Sequence, residues 1–374
     1  MLQKIAYNEV VLRPPFCGGT RQGEIGISER EAIRMRTKAW YVKAPFDFEL
    51  REGELGEIGE DEVLIRVKAC GICGTDMTSA KTAAADWEPI GHEISGIVEQ
   101  AGARVTHVQA GSTVTLETST FCRTCDWCRD GRYDLCNKGP SFWGRNFSMG
   151  FADYIVAPKE VVVPYEGLSF PVASLVEPLG VAVDLTEVVD IQMGDDVLVL
   201  GLGPIGLMAL RLAKLRGARK IYAAARSHSV KRIETALAFG ADEIIYTDKT
   251  PLETYPFERG GVDRVLVTAP PSTIPSAFKA ARTGGVIGFI GIEFGAGANI
   301  TFDANEFHFK KLQLRASHAT PALFFPRCIE LLKSGAVDGD ALVTHTFGLE
   351  QFADAMKELR DDRGSAIKMV MVNP

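Results

Sequence analysis

Three things are scarce in this sequence: long apolar runs, an excess of positive charge, and any internal repeat or low-complexity segment. No stretch approaches the roughly 20 apolar residues that a membrane-spanning helix needs, so a membrane partner is not expected. The 41 Lys and Arg residues against 48 Asp and Glu leave a formal charge of −7. That balance argues against a general nucleic-acid binder, which carries a basic face. The opening MLQKIAYNEVVLRPPFCGG has charges within it and no long apolar core, so it does not read as a secretory signal. The expected location is the cytoplasm.

What is present is ordinary for a soluble enzyme: 46% hydrophobic and 24% charged residues in a chain of 374. That length exceeds a usual single core and predicts two domains. Residues 1–35 show no clear period, carry the breakers Pro14-Pro15 and Gly18-Gly19, and read either as an extension or as sequence upstream of a true start at Met35. A first strand is expected at Arg36-Thr37-Lys38-Ala39-Trp40. Val63, Ile65 and Val67 alternate with polar residues, as in a half-buried strand. Strand-like runs recur at 95–98, 112–116 and 154–158 between glycine-rich turns, and predict a compact, barrel-like β unit.

The texture then changes. Asp196–Leu200 is continuously apolar after its first residue, as befits a strand covered on both faces. Helical stretches ending near 216, at 229–239 and at 273–282 alternate with strands at 220–225, 243–246, 263–267 and 286–290. Such alternation predicts a parallel, doubly wound sheet. Helices near 322–334 and 349–360 and a strand at 367–372 make a tail that matches neither texture.

Eight cysteines are present, and four fall at Cys122, Cys125, Cys128 and Cys136. The spacing C-x2-C-x2-C-x7-C suits four thiolates around one tetrahedral zinc with no coordination position left open. The metal would supply folding energy to a loop too polar for its own core. A second constellation, Cys73 with Thr75 and then His92-Glu93, offers a thiolate and an imidazole for a metal with an open site. Glu177 is the candidate third ligand, and Glu93 is the alternative or exchanging one. Cys70, in step with Val67 and Ala69, reads as packing.

Gly201-Leu202-Gly203-Pro204-Ile205-Gly206 is a GxGxxG set between a strand and a helix, the context a dinucleotide site requires. Gly201 permits the turn, Gly203 the approach of the pyrophosphate, and Gly206 the close packing of helix on strand. An NAD site usually adds an acid at the end of the second strand. Here Tyr222–His228 has none, while Arg226 and, further on, Lys231 are basic. NADP is therefore expected over NAD.

These pieces together resemble the zinc-containing medium-chain dehydrogenase/reductase family of alcohol and polyol dehydrogenases. The matching runs are GICGTD (71–76), GHEISGIVEQAG (91–102), the cysteine lobe, MGFADY (149–154), VEPLGV (176–181) and GLGPIG (201–206). The resemblance implies an α/β fold: a GroES-like β-rich catalytic domain at 36–182, a Rossmann domain at 183–322, and a C-terminal return to the catalytic domain at 323–374. It also implies that Cys73, His92 and Glu177 match catalytic zinc ligands, with glutamate at the third position as in sorbitol or archaeal glucose dehydrogenases. Glu93 matches a supporting glutamate that binds zinc directly in some members. Thr75 matches the hydroxyl that takes the substrate's proton. Many members pass that proton to a histidine three residues on, where this chain has Thr78, so water or the cofactor ribose must carry it here.

The expectation is a hydride-transferring enzyme with two zinc ions per chain, acting on a polyol, cyclitol or sugar and assembling as a homodimer or homotetramer. The rivals are a threonine-type or broad alcohol dehydrogenase, a dinucleotide-binding protein without catalysis, and a zinc-ribbon nucleic-acid binder.

Overall fold

The structure is a computed structural model that describes residues 35–144, 147–361 and 364–374. The extension expected over 1–35 lies outside it except for Met35, which already belongs to the first strand.

The chain opens with β1 (Met35–Lys43), β2 (Asp47–Leu55), β3 (Glu62–Gly71), the short helix α1 (Gly74–Thr78), β4 (Glu88–Pro89), β5 (Glu93–Ala101) and β6 (Thr113–Leu116). Helix α2 (Asp126–Arg129) sits among the clustered cysteines, and β7 (Tyr154–Pro158), β8 (Val162–Pro164) and α3 (Phe170–Ala173) lead to α4 (Val176–Val189). Next come β9 (Asp196–Leu200), α5 (Pro204–Leu215), β10 (Lys220–Ala225), α6 (Val230–Phe239), β11 (Glu243–Tyr246), β12 (Val262–Val267) and α7 (Ile274–Ala280). The chain continues through β13 (Ala281–Phe289), α8 (Ala304–Phe309), β14 (Gln313–Ala316), α9 (Phe325–Lys333), α10 (Gly339–Leu342), β15 (Val343–Phe347), α11 (Phe352–Asp361) and β16 (Lys368–Val372).

Both expected textures are present. The β-rich half is a sheet in the order β15-β16-β3-β5-β6-β8, with β7 on β3, beside a smaller sheet of β2, β1 and β4. Val63, Ile65 and Val67 of β3 are fully buried, in keeping with their alternation. The other half is a six-stranded sheet in the order β11-β10-β9-β12-β13-β14, parallel throughout. Its central strand β9 is buried along its whole length. Val197 and Val199 face a cluster built with α4 and α5, while Leu198 and Leu200 face another built with α7. Each such side chain contributes roughly 1.5–3 kcal/mol by leaving water. Among the described residues, no helix is long and apolar enough to cross a membrane.

The end of the tail belongs with the first texture, whereas Phe325, Cys328, Ile329 and Leu332 of α9 pack into the core built by α4 and α5. Strand β16 runs parallel to β15 and antiparallel to β3, and Phe347, Phe352, Met369 and Met371 join the core of that sheet. The boundary expected between 182 and 183 falls inside the continuous helix α4. Pro178 and Gly180 near its start conceal that helix in the sequence.

Candidate active site

Cys73 ends the turn that follows β3 and stands at the N-cap of α1. Its backbone N–H donates to Asp76 Oδ2 (2.8 Å), which fixes the first turn of the helix. His92 and Glu93 enter from the start of β5, whose register sets Glu93 opposite Gly71. A Cβ on Gly71 would lie 2.1 Å from a Glu93 carboxylate oxygen, so this glycine makes room for the acid. Cys73 Sγ, a ring nitrogen of His92 and a carboxylate oxygen of Glu93 all fall within 4.8 Å of one another.

The donor set fits a metal. His92 is buried, and its Nδ1 lacks a hydrogen-bond partner, facing Asp76 Oδ1 at 3.6 Å. Its Nε2 lies on the other side of the ring, 3.4 Å from Thr75 Oγ1. An acid behind one nitrogen leaves the other free to ligate, which is the usual support for a metal-bound imidazole. Both oxygens of Glu93 accept from Lys368 Nζ, at 2.7 and 2.6 Å, and the same ammonium donates to the Ile72 carbonyl (3.0 Å). Burial works against the charge on Lys368, but Glu93 and Cys73 outweigh it and hold its pKa above the ordinary value.

Glu177, in the first turn of α4, lies outside the set of three mutually close donors. Burial pushes its pKa up to about 7, with His92 and Lys368 opposing and Glu93 adding to the shift. Thr75 is exposed beside the cluster, and Thr78 turns back to cap the Gly74 carbonyl (3.0 Å). Cys70 is fully buried with its sulfur against Gly91 and Gly150, and burial pushes its thiol pKa well up. It packs.

Cys122, Cys125, Cys128 and Cys136 also converge within 4.8 Å. The Cys122–Cys128 and Cys125–Cys136 sulfur pairs are each 3.9 Å apart. A tetrahedron with zinc–sulfur arms of about 2.3 Å has edges of about 3.8 Å, so the four thiols fit one zinc. The Thr124 hydroxyl and the N–H groups of Thr124 and Cys125 all point at Cys122 Sγ and pull its pKa down to about 5.

The glycine turn joins β9 to α5. Gly201 adopts φ +102°, and its carbonyl accepts from Thr268 Oγ1 (2.7 Å). A Cβ on Gly206 would lie 2.0 Å from the Gly201 carbonyl oxygen, whereas one on Gly203 would meet nothing within 4 Å. The turn is thus closed where helix meets strand and open at the N-cap, where a pyrophosphate would rest. Pro204 and Ile205 begin α5, and Pro204 has no N–H to leave unpaired. Arg226 follows β10 and is exposed. Lys231 lies on α6 with Glu234 3.9 Å away and lines a cavity of about 480 Å³ with Asp340, Thr344 and His345.

Four residues of the site escape sequence reasoning. Asp76 does carry a local signal, as an acid in the first turn after Cys73. Lys368 and Asp248, whose carboxylate accepts from Ser227, had no local signal, because each acts across strands. Trp143 is half-exposed, with its ring 5.3 Å from that of His92.

Comparison with known proteins gives two family matches: an alcohol dehydrogenase GroES-like domain over residues 59–167 and a zinc-binding dehydrogenase domain over 204–334. Sorbitol dehydrogenase of Arabidopsis thaliana is 31% identical, covering 95% of this chain and 99% of its own. L-threonine 3-dehydrogenase of Bacillus velezensis is 33% identical, covering 87% and 96%. A zinc-binding dehydrogenase from Sinorhizobium meliloti bound to NADP superposes with a TM-score of 0.80 at 25% identity, covering 91% of this chain and 100% of that one. An alcohol dehydrogenase from E. coli CFT073 complexed with NADH gives 0.82 at 26%, covering 90% and 99%.

Proposed function

The chain belongs to the zinc-containing medium-chain dehydrogenase/reductase family, and from that membership we propose that it oxidises a secondary alcohol or hemiacetal of a polyol, cyclitol or sugar with a nicotinamide dinucleotide. The observation that carries the reading is the meeting of Cys73, His92 and Glu93, with the Thr75 hydroxyl beside them. When bound, zinc supplies Lewis acidity toward a substrate hydroxyl and the dinucleotide supplies a hydride acceptor.

The protein's own groups divide the remaining work. Cys73 and His92 would hold the metal, with the Asp76 carboxylate facing the far ring nitrogen of His92 at 3.6 Å. Lys368 fixes the Glu93 carboxylate, with Glu177 as the second carboxylate that ligates or exchanges with it. Thr75 Oγ1 accepts the hydroxyl proton and, with Thr78 turned to the Gly74 carbonyl, passes it to water or the cofactor ribose. Gly201, Gly203, Pro204, Ile205 and Gly206 cradle the pyrophosphate. Cys122, Cys125, Cys128 and Cys136 hold a second, structural zinc, so the proposed content is two per chain.

A polyol is favoured over a simple alcohol by the glutamates at the cluster, which can accept bonds from neighbouring hydroxyls, and by the sorbitol dehydrogenase relative. The threonine dehydrogenase relative keeps an amino-alcohol substrate as the second reading. Between NAD and NADP, Arg226 favours the phosphorylated form and Asp248 opposes it. Assembly as a homodimer or homotetramer rests on family analogy and on exposed Ile292, Phe294 and Phe309 between β13 and the outer strand β14.

The test is a panel of polyols, sugars, cyclitols, threonine and simple alcohols with NAD and NADP, read as absorbance of the reduced cofactor. Turnover of a polyol, reduced more than about 100-fold by Cys73→Ser, is expected. Turnover of threonine or simple alcohols alone overturns the substrate reading.

A further inference from the structure

In a doubly wound sheet the adenosine ribose lies beyond the C-terminal end of the second strand, and an acid there holds its hydroxyls. In this chain that strand is β10, which ends at Ala225, and the residues after it are Arg226, Ser227 and His228. No acid follows in sequence. One arrives from the side.

Strand β11 runs parallel to β10 with Tyr246 opposite Ala225, and the Thr247 N–H extends the ladder to the Ala225 carbonyl (3.0 Å). One residue further on, Asp248 takes the Ser227 backbone N–H on Oδ1 (2.8 Å) and the Ser227 hydroxyl on Oδ2 (2.5 Å). The carboxylate is therefore clamped against the residue two beyond the end of β10, at the edge the ribose occupies.

We propose that Asp248 is the ribose-binding acid of this chain and that it selects NAD over NADP. The inference rests on the dinucleotide reading given above. Each carboxylate oxygen has two lone-pair directions and spends one on Ser227, so both oxygens keep an acceptor site for a ribose hydroxyl. Asp248 is exposed, so those sites are open to solvent. The Ser227 donors also hold its pKa below the ordinary carboxylate value, which keeps it charged through the neutral range.

A 2′-phosphate would bring up to two further negative charges against that fixed one. Arg226, together with Lys249 beside Asp248, would welcome a phosphate. Both are long, exposed side chains that must be ordered to do so, whereas Asp248 is already held by two bonds. Preorganisation therefore favours the diol. NADP is expected from sequence because no acid follows β10 along the chain, and an acid donated by the neighbouring strand leaves no mark there.

The test is direct binding, read by the fluorescence of the reduced cofactor on titration into the zinc-loaded protein. The protein should bind NADH at least about 10-fold tighter than NADPH, the scale of a 2′-phosphate held against one carboxylate at the protein surface. Asp248→Asn keeps an acceptor for Ser227 but removes the charge, and should bring the two affinities within about threefold. Asp248→Ala, which also drops the ribose contact, should weaken NADH by about 10-fold without weakening NADPH. A tighter affinity for NADPH in the unmodified protein, or an NADH-to-NADPH ratio unmoved by both substitutions, overturns the assignment. Absence of binding by either cofactor removes the dinucleotide reading itself, and the assignment falls with it.

Discussion

Glu117 follows the last residue of β6 and is buried, with its backbone N–H tied to the Val161 carbonyl (2.9 Å). Burial raises its carboxyl pKa from 4.5 to about 7, and the Thr120 hydroxyl pulls the other way. An acid that ionises later in the folded chain than in the unfolded one favours folding only while it stays protonated. Its contribution is full below pH 4.5, declines as the unfolded chain ionises, and is gone once the pH passes about 7. The gap is worth at most about 3 kcal/mol, at 1.36 kcal/mol per pH unit. Glu117→Gln removes the titration, so its stability relative to the unmodified protein should rise between pH 4.5 and 7 and level off above. Urea unfolding across that range measures the difference. Two parallel stability curves would mean that water or a polar partner already solvates Glu117.

At the scale of elements, β16 ties the C-terminal segment to the first sheet. Its first residue, Lys368, reaches Glu93 at the head of β5, 275 residues away in sequence, with both side chains almost fully buried. Removing one partner of such a pair leaves a buried charge uncompensated and costs about 3–5 kcal/mol. Lys368→Met should lose that much in chemical denaturation, and Lys368→Arg should recover most of it by keeping a cation against both oxygens. A loss below about 1 kcal/mol for the methionine variant would show that Glu93 finds another partner.

The same strand shows what the sequence reveals. Strands β3, β9 and β10 are legible because their periodicity reports how many of their faces are buried, and the glycine turn because its backbone demands are local. Strands β15 and β16 carry no mark of which sheet they enter, and α4 hides behind Pro178 and Gly180. Cys73 and His92 are readable from spacing and resemblance. Lys368 and Asp248 act across strands, and pairing between strands is settled by the fold as a whole.

At the scale of the whole molecule, the cysteine lobe stands apart from both sheets. Its side chains Trp127, Tyr133 and Leu135 are exposed, and among its residues with described burial only Cys128 and Cys136 are buried. With so little apolar surface withdrawn from water, the lobe depends on its metal, whereas the cores of the two sheets contain no part of it beyond neighbouring Phe142. Chelation should therefore unfold the lobe locally and spare the parallel sheet. The lobe contains Arg123, Arg129 and Arg132, so trypsin reads its opening directly. After metal removal, cleavage should appear first between Cys122 and Cys136, while far-ultraviolet dichroism changes little and NADH still binds within about threefold of its original affinity. Cys128→Ser should give the same cleavage without chelator. If chelation instead abolished NADH binding and secondary structure together, the metal would be holding the entire molecule, and the separation of the lobe from the two cores would carry no energetic weight.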